Sequence, residues 1–401
     1  MHLLRGLTRT LTKDYNIMKI TLKRTPEQLE LIKAMASKNR DTAYSAQVAL
    51  AEFIGPVVSE VINNAPTISN LFTPLQYNAD DNPSLPLDLY YNVFDEDYIQ
   101  VWSQSVAGGL PTNMVQPTAA ELKFTTYTLD SAVAFDRKYA SRSRLDVIGK
   151  TFTRVAQEVL LKQERTSSNL LMTALADATA GKATFSAKNR NVFRTNTAGI
   201  LLLDDINKLI TKAKRVNASW SGGTPTGARH GISDLIVSPE VIEQIRAMAY
   251  NPMNTKAATG ITPTAATTAI PATDAVRNEV WKSSGITEFF GINIQEVLEL
   301  GVGKRYNDVF DTVAGTTDYL NNGSTSASSV FNGAAEQIIV GLDRTRDALV
   351  RAIAVDSETG SEFNLVADDQ FSIRQQRIGY YGSLEEGRMV LDNRALVGLI
   401  M

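Results

Sequence analysis

The sequence predicts an α+β protein built around one unusually long helix. Three observations carry that expectation. Residues 144–178 keep a single apolar face with no proline. The middle of the chain alternates amphipathic helices with a short apolar strand. The last third is rich in strand-forming residues.

At the N-terminal end, Thr25 suits a helix N-cap and Pro26 the first helical position. Ile54, Val58, Val61 and Ile62 share one helical face. Gly55-Pro56 marks a kink or restart there, and Asn63-Asn64-Ala65-Pro66 an end. A turn-rich stretch, Asn78 to Pro86, leads into Leu87–Trp102, which favours strand. Gly108-Gly109 and Pro111 then punctuate the chain before Leu122–Phe135 resumes with Thr, Tyr, Phe and Val. Two strand-like runs around a Gly-Gly/Pro tip read as a long hairpin arm, which needs something to lie upon.

In Arg144–Ala178 the residues Ile148, Phe152, Val155 and Val159 step by 4, 3 and 4, and Leu170, Ala174 and Leu175 extend the face. At about 1.5 Å per residue the helix would be roughly 50 Å long, a spine and not a connector. Asp204–Ala218 is amphipathic through Ile206, Leu209, Ile210 and Ala213. Ile232–Val237 is an apolar strand, and Ser238-Pro239-Glu240 supplies a cap, a first-turn proline and an acid for a helix to Tyr250. Ala257–Thr273 and Thr316–Asn332 are loop-like by composition. Gly291–Val297, Gln337–Leu342, Phe371–Arg374 and Met389–Leu391 have β-type composition.

Composition excludes several kinds of chemistry. The 401 residues include no Cys, so there is no disulfide framework, thiolate metal site or thiol nucleophile. His2 and His230 are the only histidines, so a multi-histidine metal centre is ruled out and a Ser-His-Asp triad would need His230. A net charge of −3 is not the footprint of a nucleic-acid binder. No apolar run approaches the roughly 20 residues that span a bilayer, and Arg5, Arg9, Lys13 and Asp14 interrupt any secretory leader. Gly222–Gly227 lacks the order of a P-loop. Gly301-Val-Gly-Lys304 lacks the third glycine of a dinucleotide fingerprint, and Gly-x-Ser-x-Gly is missing altogether. Asp95-Glu96-Asp97 and Asp368-Asp369 lack calcium-loop spacing, and Glu385-Glu386 beside Arg388 is not by adjacency an acid/base pair. No catalytic residue, cofactor or metal is expected.

The small total hides segregation. Residues 1–40 carry nine Lys/Arg against three acids. Asp41 to Leu122 holds ten acids (Glu121 among them) and no Lys or Arg. Lys123 to Arg165 then has nine Lys/Arg against five acids. Each block can be a solvated face compensated within the fold, or one of two complementary surfaces that meet between copies.

The order of elements, together with three strings, resembles the major capsid proteins of tailed bacteriophages, the Hong Kong 97-type fold also seen in encapsulin shells. The first string is Asp368-Asp-Gln-Phe-Ser-Ile-Arg-Gln-Gln-Arg-Ile-Gly-Tyr-Tyr381 and the second Met389-Val-Leu-Asp-Asn-Arg-Ala-Leu-Val-Gly-Leu399. The third, Asp234-Leu-Ile-Val-Ser-Pro-Glu240, is similar to the family's strand-to-helix step in its axial domain. The resemblance covers roughly residues 40 to 401.

It implies an N-terminal arm and helix (1–66), a linker (67–86), an extended hairpin arm (87–135) laid over a neighbouring subunit, a peripheral domain with its spine helix (136–194), an axial domain (195–342) and returning strands (343–401). It implies a shell protein that is not an enzyme. Its partners would be copies of itself in hexamers and pentamers, a separate scaffolding protein, a portal and a possible decoration protein. The shell would enclose DNA without sequence-specific binding and without a membrane, in a virion assembled in the bacterial cytoplasm. Met18 is an alternative start.

Expected intersubunit contacts are Arg24, Asp95, Glu96, Asp97, Trp102, Lys123, Arg142, Arg144, Arg374, Arg377, Glu385 and Glu386. Some members of the family join Lys to Asn covalently. Lys123 is the only Lys of the arm, but no motif identifies an Asn partner. Two other functions fit less well: an encapsulin-like compartment around a cargo enzyme, and a hydrolase using His230.

Overall fold

A computed structural model describes residues 25–63, 65, 67–79, 81–86, 121–179, 191–195, 197–220, 231–250, 288–289, 291–314, 331–346, 348–356, 360–368, 376–391 and 395–401. In chain order its elements begin α1 (Pro26–Met35), α2 (Arg40–Asn63), β1 (Thr73–Asn78), β2 (Ser84–Pro86), β3 (Glu121–Lys123), β4 (Thr126–Asp136), α3 (Arg137–Ser141) and α4 (Leu145–Thr179). They continue with β5 (Val192–Arg194), α5 (Leu203–Trp220), β6 (Asp234–Val237), α6 (Pro239–Tyr250), β7 (Glu288–Phe289), β8 (Ile292–Glu296) and α7 (Arg305–Ala314). The last are β9 (Ile338–Leu342), β10 (Leu349–Val355), β11 (Asn364–Asp368), β12 (Arg377–Val390) and β13 (Leu396–Ile400). Helices and strands mix throughout, as an α+β class requires.

The chain divides into two units. The first comprises Met1–Asn70, Tyr127–Gln163 and Ile353–Glu386, and the second Leu71–Thr126, Glu164–Ala352 and Gly387–Met401.

In the first unit α1 starts as the sequence dictates: the Thr25 hydroxyl accepts from the Gln28 amide at 3.4 Å, and Pro26 opens the helix. Pro56 lies inside α2, where its missing N–H leaves one helical bond unmade. The helix continues because Leu50, Ile54, Val58 and Ile62 are all buried along its inner side. The first half of α4 buries Ile148, Phe152, Val155 and Val159, the face read from the sequence. Strand β12 pairs antiparallel with β11, with Ala367 opposite Tyr380, and also pairs with β4. Tyr380 stacks on Phe135 (6.1 Å between centroids) and meets the Phe152 ring edge-on (5.4 Å).

The second unit holds a six-stranded sheet in the order β5-β13-β9-β6-β8-β7. Strands β6, β9 and β13 are buried at every position, which explains their unbroken apolar runs. Helices α5 and α6 bury Ile206, Leu209, Val241 and Ile245 in the same core as Leu235, Ile339 and Leu399. Ser238 caps α6, its hydroxyl accepting from the Val241 amide (3.3 Å) and donating to Gln337 (2.8 Å).

On α7, Tyr306 is 1% exposed, and burial is the main cause that pushes its phenol up to about 12. Ser168 and Arg305 oppose the shift, while Glu164 and Glu299 add to it. The stability linked to this proton is complete below pH 10, where folded and unfolded chains both hold it. It is lost as pH rises through about 12, because the unfolded chain ionises first. At about 1.4 kcal/mol per pH unit the loss is roughly 3 kcal/mol. Urea melts at pH 9 to 12 should show it, and a Tyr306→Phe variant should lose less stability than the parent over that range. Equal losses in the two proteins would refute the assignment.

Candidate functional site

Exposed charge concentrates where β4 gives way to α4. Asp136 ends the strand and Arg137 begins the short α3. The Arg137 guanidinium donates to the carbonyls of Ala36 (2.9 Å) and Ser37, and its amide donates to the Gln376 carbonyl (3.0 Å). That arginine anchors the turn from below. Above it Lys138, Tyr139, Arg142 and Arg144 are exposed. Ser143 takes a left-handed conformation (φ 51°), which lets the chain turn from α3 into α4 within three residues. Backbone bonds fix the result: the Arg142 amide to Lys138 O (3.1 Å) and the Arg144 amide to Tyr139 O (2.9 Å).

Arg377 opens β12 and lies 3.7 Å from Asp136, both side chains about half exposed, so the pair contributes little to stability. Three expected contact residues, Arg142, Arg144 and Arg377, therefore share the first unit and face solvent. Lys138 and Tyr139 were not anticipated. The signal was there in the run Arg137-Lys-Tyr-Ala-Ser-Arg-Ser-Arg144, the densest stretch of the second basic block.

In the second unit Lys123 is exposed at the end of β3, which pairs antiparallel with β2, Ser84 opposite Lys123 and Pro86 opposite Glu121. Residues 87–120, which lie between these two strands in sequence and hold most of the expected hairpin arm, are outside the described residues. The run expected to form one hairpin strand, 122–135, is divided: β3 pairs with β2, and β4 pairs with β12.

Glu386 departs from its expected role. It is 0% exposed and its carboxylate accepts from the Tyr127 hydroxyl (2.8 Å) and the Gln163 amide (3.0 Å), so it serves the interior of its own chain and cannot meet a neighbour. Strand alternation is the reason, since Ile378, Tyr380, Leu384 and Glu386 share the inward parity of β12. Glu385 is half-buried. Arg388 donates to the Ser167 hydroxyl and lies over the Phe72 ring (5.9 Å).

Arg24, Asp95, Glu96, Asp97, Trp102, Arg374 and His230 lie outside the described residues. Among the described residues no three Asp, Glu or His side chains converge in a way that could hold a metal ion. A groove of about 450 Å³ on α7 is lined by Arg305, Asp308, Val309, Thr312 and Val313, with the Thr312 hydroxyl donating to the Asp308 carbonyl (2.7 Å).

No protein-family model and no curated protein matches the chain. Among solved structures it is similar to the holo-SrpI encapsulin complex from Synechococcus elongatus PCC 7942, at 12% identity over 84% of this chain and 87% of that one, with a TM-score of 0.41. It is similar also to a chain of Microbacterium phage Oxtober96 (11% identity, 83% and 90% covered, TM-score 0.44). A third likeness is to the bacteriophage PhiM1 mature capsid (11% identity, 83% and 86% covered, TM-score 0.43). With every one of these TM-scores below 0.5, the likenesses carry no functional argument.

Proposed function

We propose that the chain is a major capsid protein, a non-enzymatic subunit that assembles with copies of itself into an icosahedral shell around double-stranded DNA. One observation supports the reading: the described elements follow one another in an order that suits the resemblance. The paired strands β2 and β3 flank the stretch 87–120 in sequence. A 35-residue helix follows. Next come the strands and helices of the six-stranded sheet, then β10 to β12 and the terminal β13.

In this reading residues 87–120 form the arm, and its acids Asp95, Glu96 and Asp97 meet cations of a neighbour. Arg24, Trp102, Lys123, Arg374, Arg377 and Glu385 are further contacts. A scaffolding protein, a portal and a decoration protein complete the particle, which is built in the bacterial cytoplasm. A near-neutral total charge suits a container that holds DNA without gripping it.

Electron microscopy of the purified chain, with a scaffold if one is required, should show pentamers, hexamers or closed shells. Reversing Asp95, Glu96 and Asp97 to lysine should reduce shell yield while leaving the melting of the unassembled chain unchanged. A protein that stays monomeric under all these conditions refutes the reading. Particles that carry one specific enzyme and no DNA would assign the shell to an encapsulin-like compartment.

A further inference from the structure

Helix α2 is apolar on two sides. Its inner side closes the first unit's core through Leu50, Ile54, Val58 and Ile62. Its outer side brings Ala49, Phe53 and Pro56 together at helical spacing, with Glu52 and Glu60 at the margins. Phe53 is 53% exposed, and Ala49, Glu52, Pro56 and Glu60 also face solvent. From Asp41 to Asn63 the helix contains no Lys or Arg. A single chain thus leaves an aromatic ring and two carboxylates exposed, and the one cation of the helix, Arg40, stands at its N-terminal end, three turns from Glu52. An apolar patch rimmed by charge of one sign marks a protein contact.

The complementary surface lies on the same unit. The α3–α4 turn presents Tyr139, 41% exposed, among Lys138, Arg142 and Arg144. Its backbone bonds and the Arg137 anchor hold it in shape before any partner arrives, which reduces the ordering cost of binding.

We propose that the outer face of α2 in one copy receives the α3–α4 turn of a second copy. Phe53 meets Tyr139, and Glu52 and Glu60 face Lys138, Arg142 and Arg144. This contact rests on the shell reading and specifies one of its joints. Because the two surfaces differ, the joint is heterologous and each copy offers both halves, the arrangement that builds rings and shells instead of closed pairs. Opposed charge sets its register and disfavours acid-to-acid or base-to-base approaches.

The test is a charge exchange. Glu52→Lys with Glu60→Lys should cut the assembled fraction about tenfold, the result of losing about 1.4 kcal/mol per joint. Lys138→Glu with Arg142→Glu should do the same. All four together should restore more than half of the parent's assembly. The readouts are sedimentation and electron microscopy, with melting of the unassembled chain as the check on folding. The contact is overturned if either pair assembles like the parent, or if the fourfold variant is as defective as the pairs. A parent chain that forms no shells overturns the shell reading and this joint with it. Parent shells beside indifferent variants overturn the joint alone.

Discussion

Truncating Phe152 to alanine should destabilise the first unit by about 3–5 kcal/mol, the range for removing a buried aromatic ring. Phe152 is 1% exposed on α4, and its ring meets Tyr380 of β12 edge-on at 5.4 Å, while Tyr380 stacks on Phe135 of β4. One ring therefore supports a helix and, through Tyr380, two strands. Tyr380→Phe makes the contrast. The Tyr380 hydroxyl is buried without a hydrogen-bond partner among the described residues, and burial pushes its pKa upward. Removing an unsatisfied hydroxyl costs little and can add up to about 1 kcal/mol. Urea melts followed by near-ultraviolet dichroism should show a midpoint lowered by about 1 M or more for Phe152→Ala and no loss for Tyr380→Phe. If the two variants melt alike, the aromatic triad does not organise this core.

The elements that were readable in advance are those whose local chemistry and burial agree. Thr25 and Pro26 start α1, the 4-3-4 spacing lays out α4, and Ser238-Pro239 starts α6, each where the sequence placed it. Strand β6 followed from its apolar run, and β8 and β9 from β-type composition. Strand β10 was missed because Arg351 interrupts an apolar run, yet that arginine is 3% exposed. The 14-residue β12 was seen only in its last residues, because Gly379, Gly382, Ser383 and the Glu385-Glu386 pair read as turn chemistry. Helix α7 went unread between Gly-rich neighbours, although Tyr306 and Phe310 are buried at i and i+4. Long-range pairing overrides local preference in such places. For the candidate site, charge segregation pointed to Arg142 and Arg144, which are exposed. It did not separate Arg137, which braces the fold, from Lys138, which faces solvent. That distinction depends on which carbonyls lie within reach.

The same blindness to context makes Glu386 the most informative single substitution. A carboxylate that is 0% exposed needs donors, and Tyr127 and Gln163 both donate to it. Glu386→Ala removes an acceptor from the buried Gln163 amide and from the half-buried Tyr127 hydroxyl. At about 1–3 kcal/mol for a buried group that loses its acceptor, and less for a half-buried one, the loss should be about 1–4 kcal/mol. Glu386→Gln keeps one carbonyl oxygen but turns an N–H₂ toward donors, so about 1–2 kcal/mol is expected. Replacing the group together, with Glu386→Leu, Tyr127→Phe and Gln163→Leu combined, should recover much of the loss, because the two donors leave along with their shared acceptor. The three changes must be non-additive, with a coupling of at least about 1 kcal/mol between contacting positions. Glu158, an exposed acid on α4, supplies the control, and its replacement by alanine should shift the urea midpoint by no more than a surface change does. Equal effects at Glu386 and Glu158 would mean that the buried carboxylate contributes nothing to the fold. A large effect that the triple variant fails to repair would trace the cost to lost volume in place of unpaired donors.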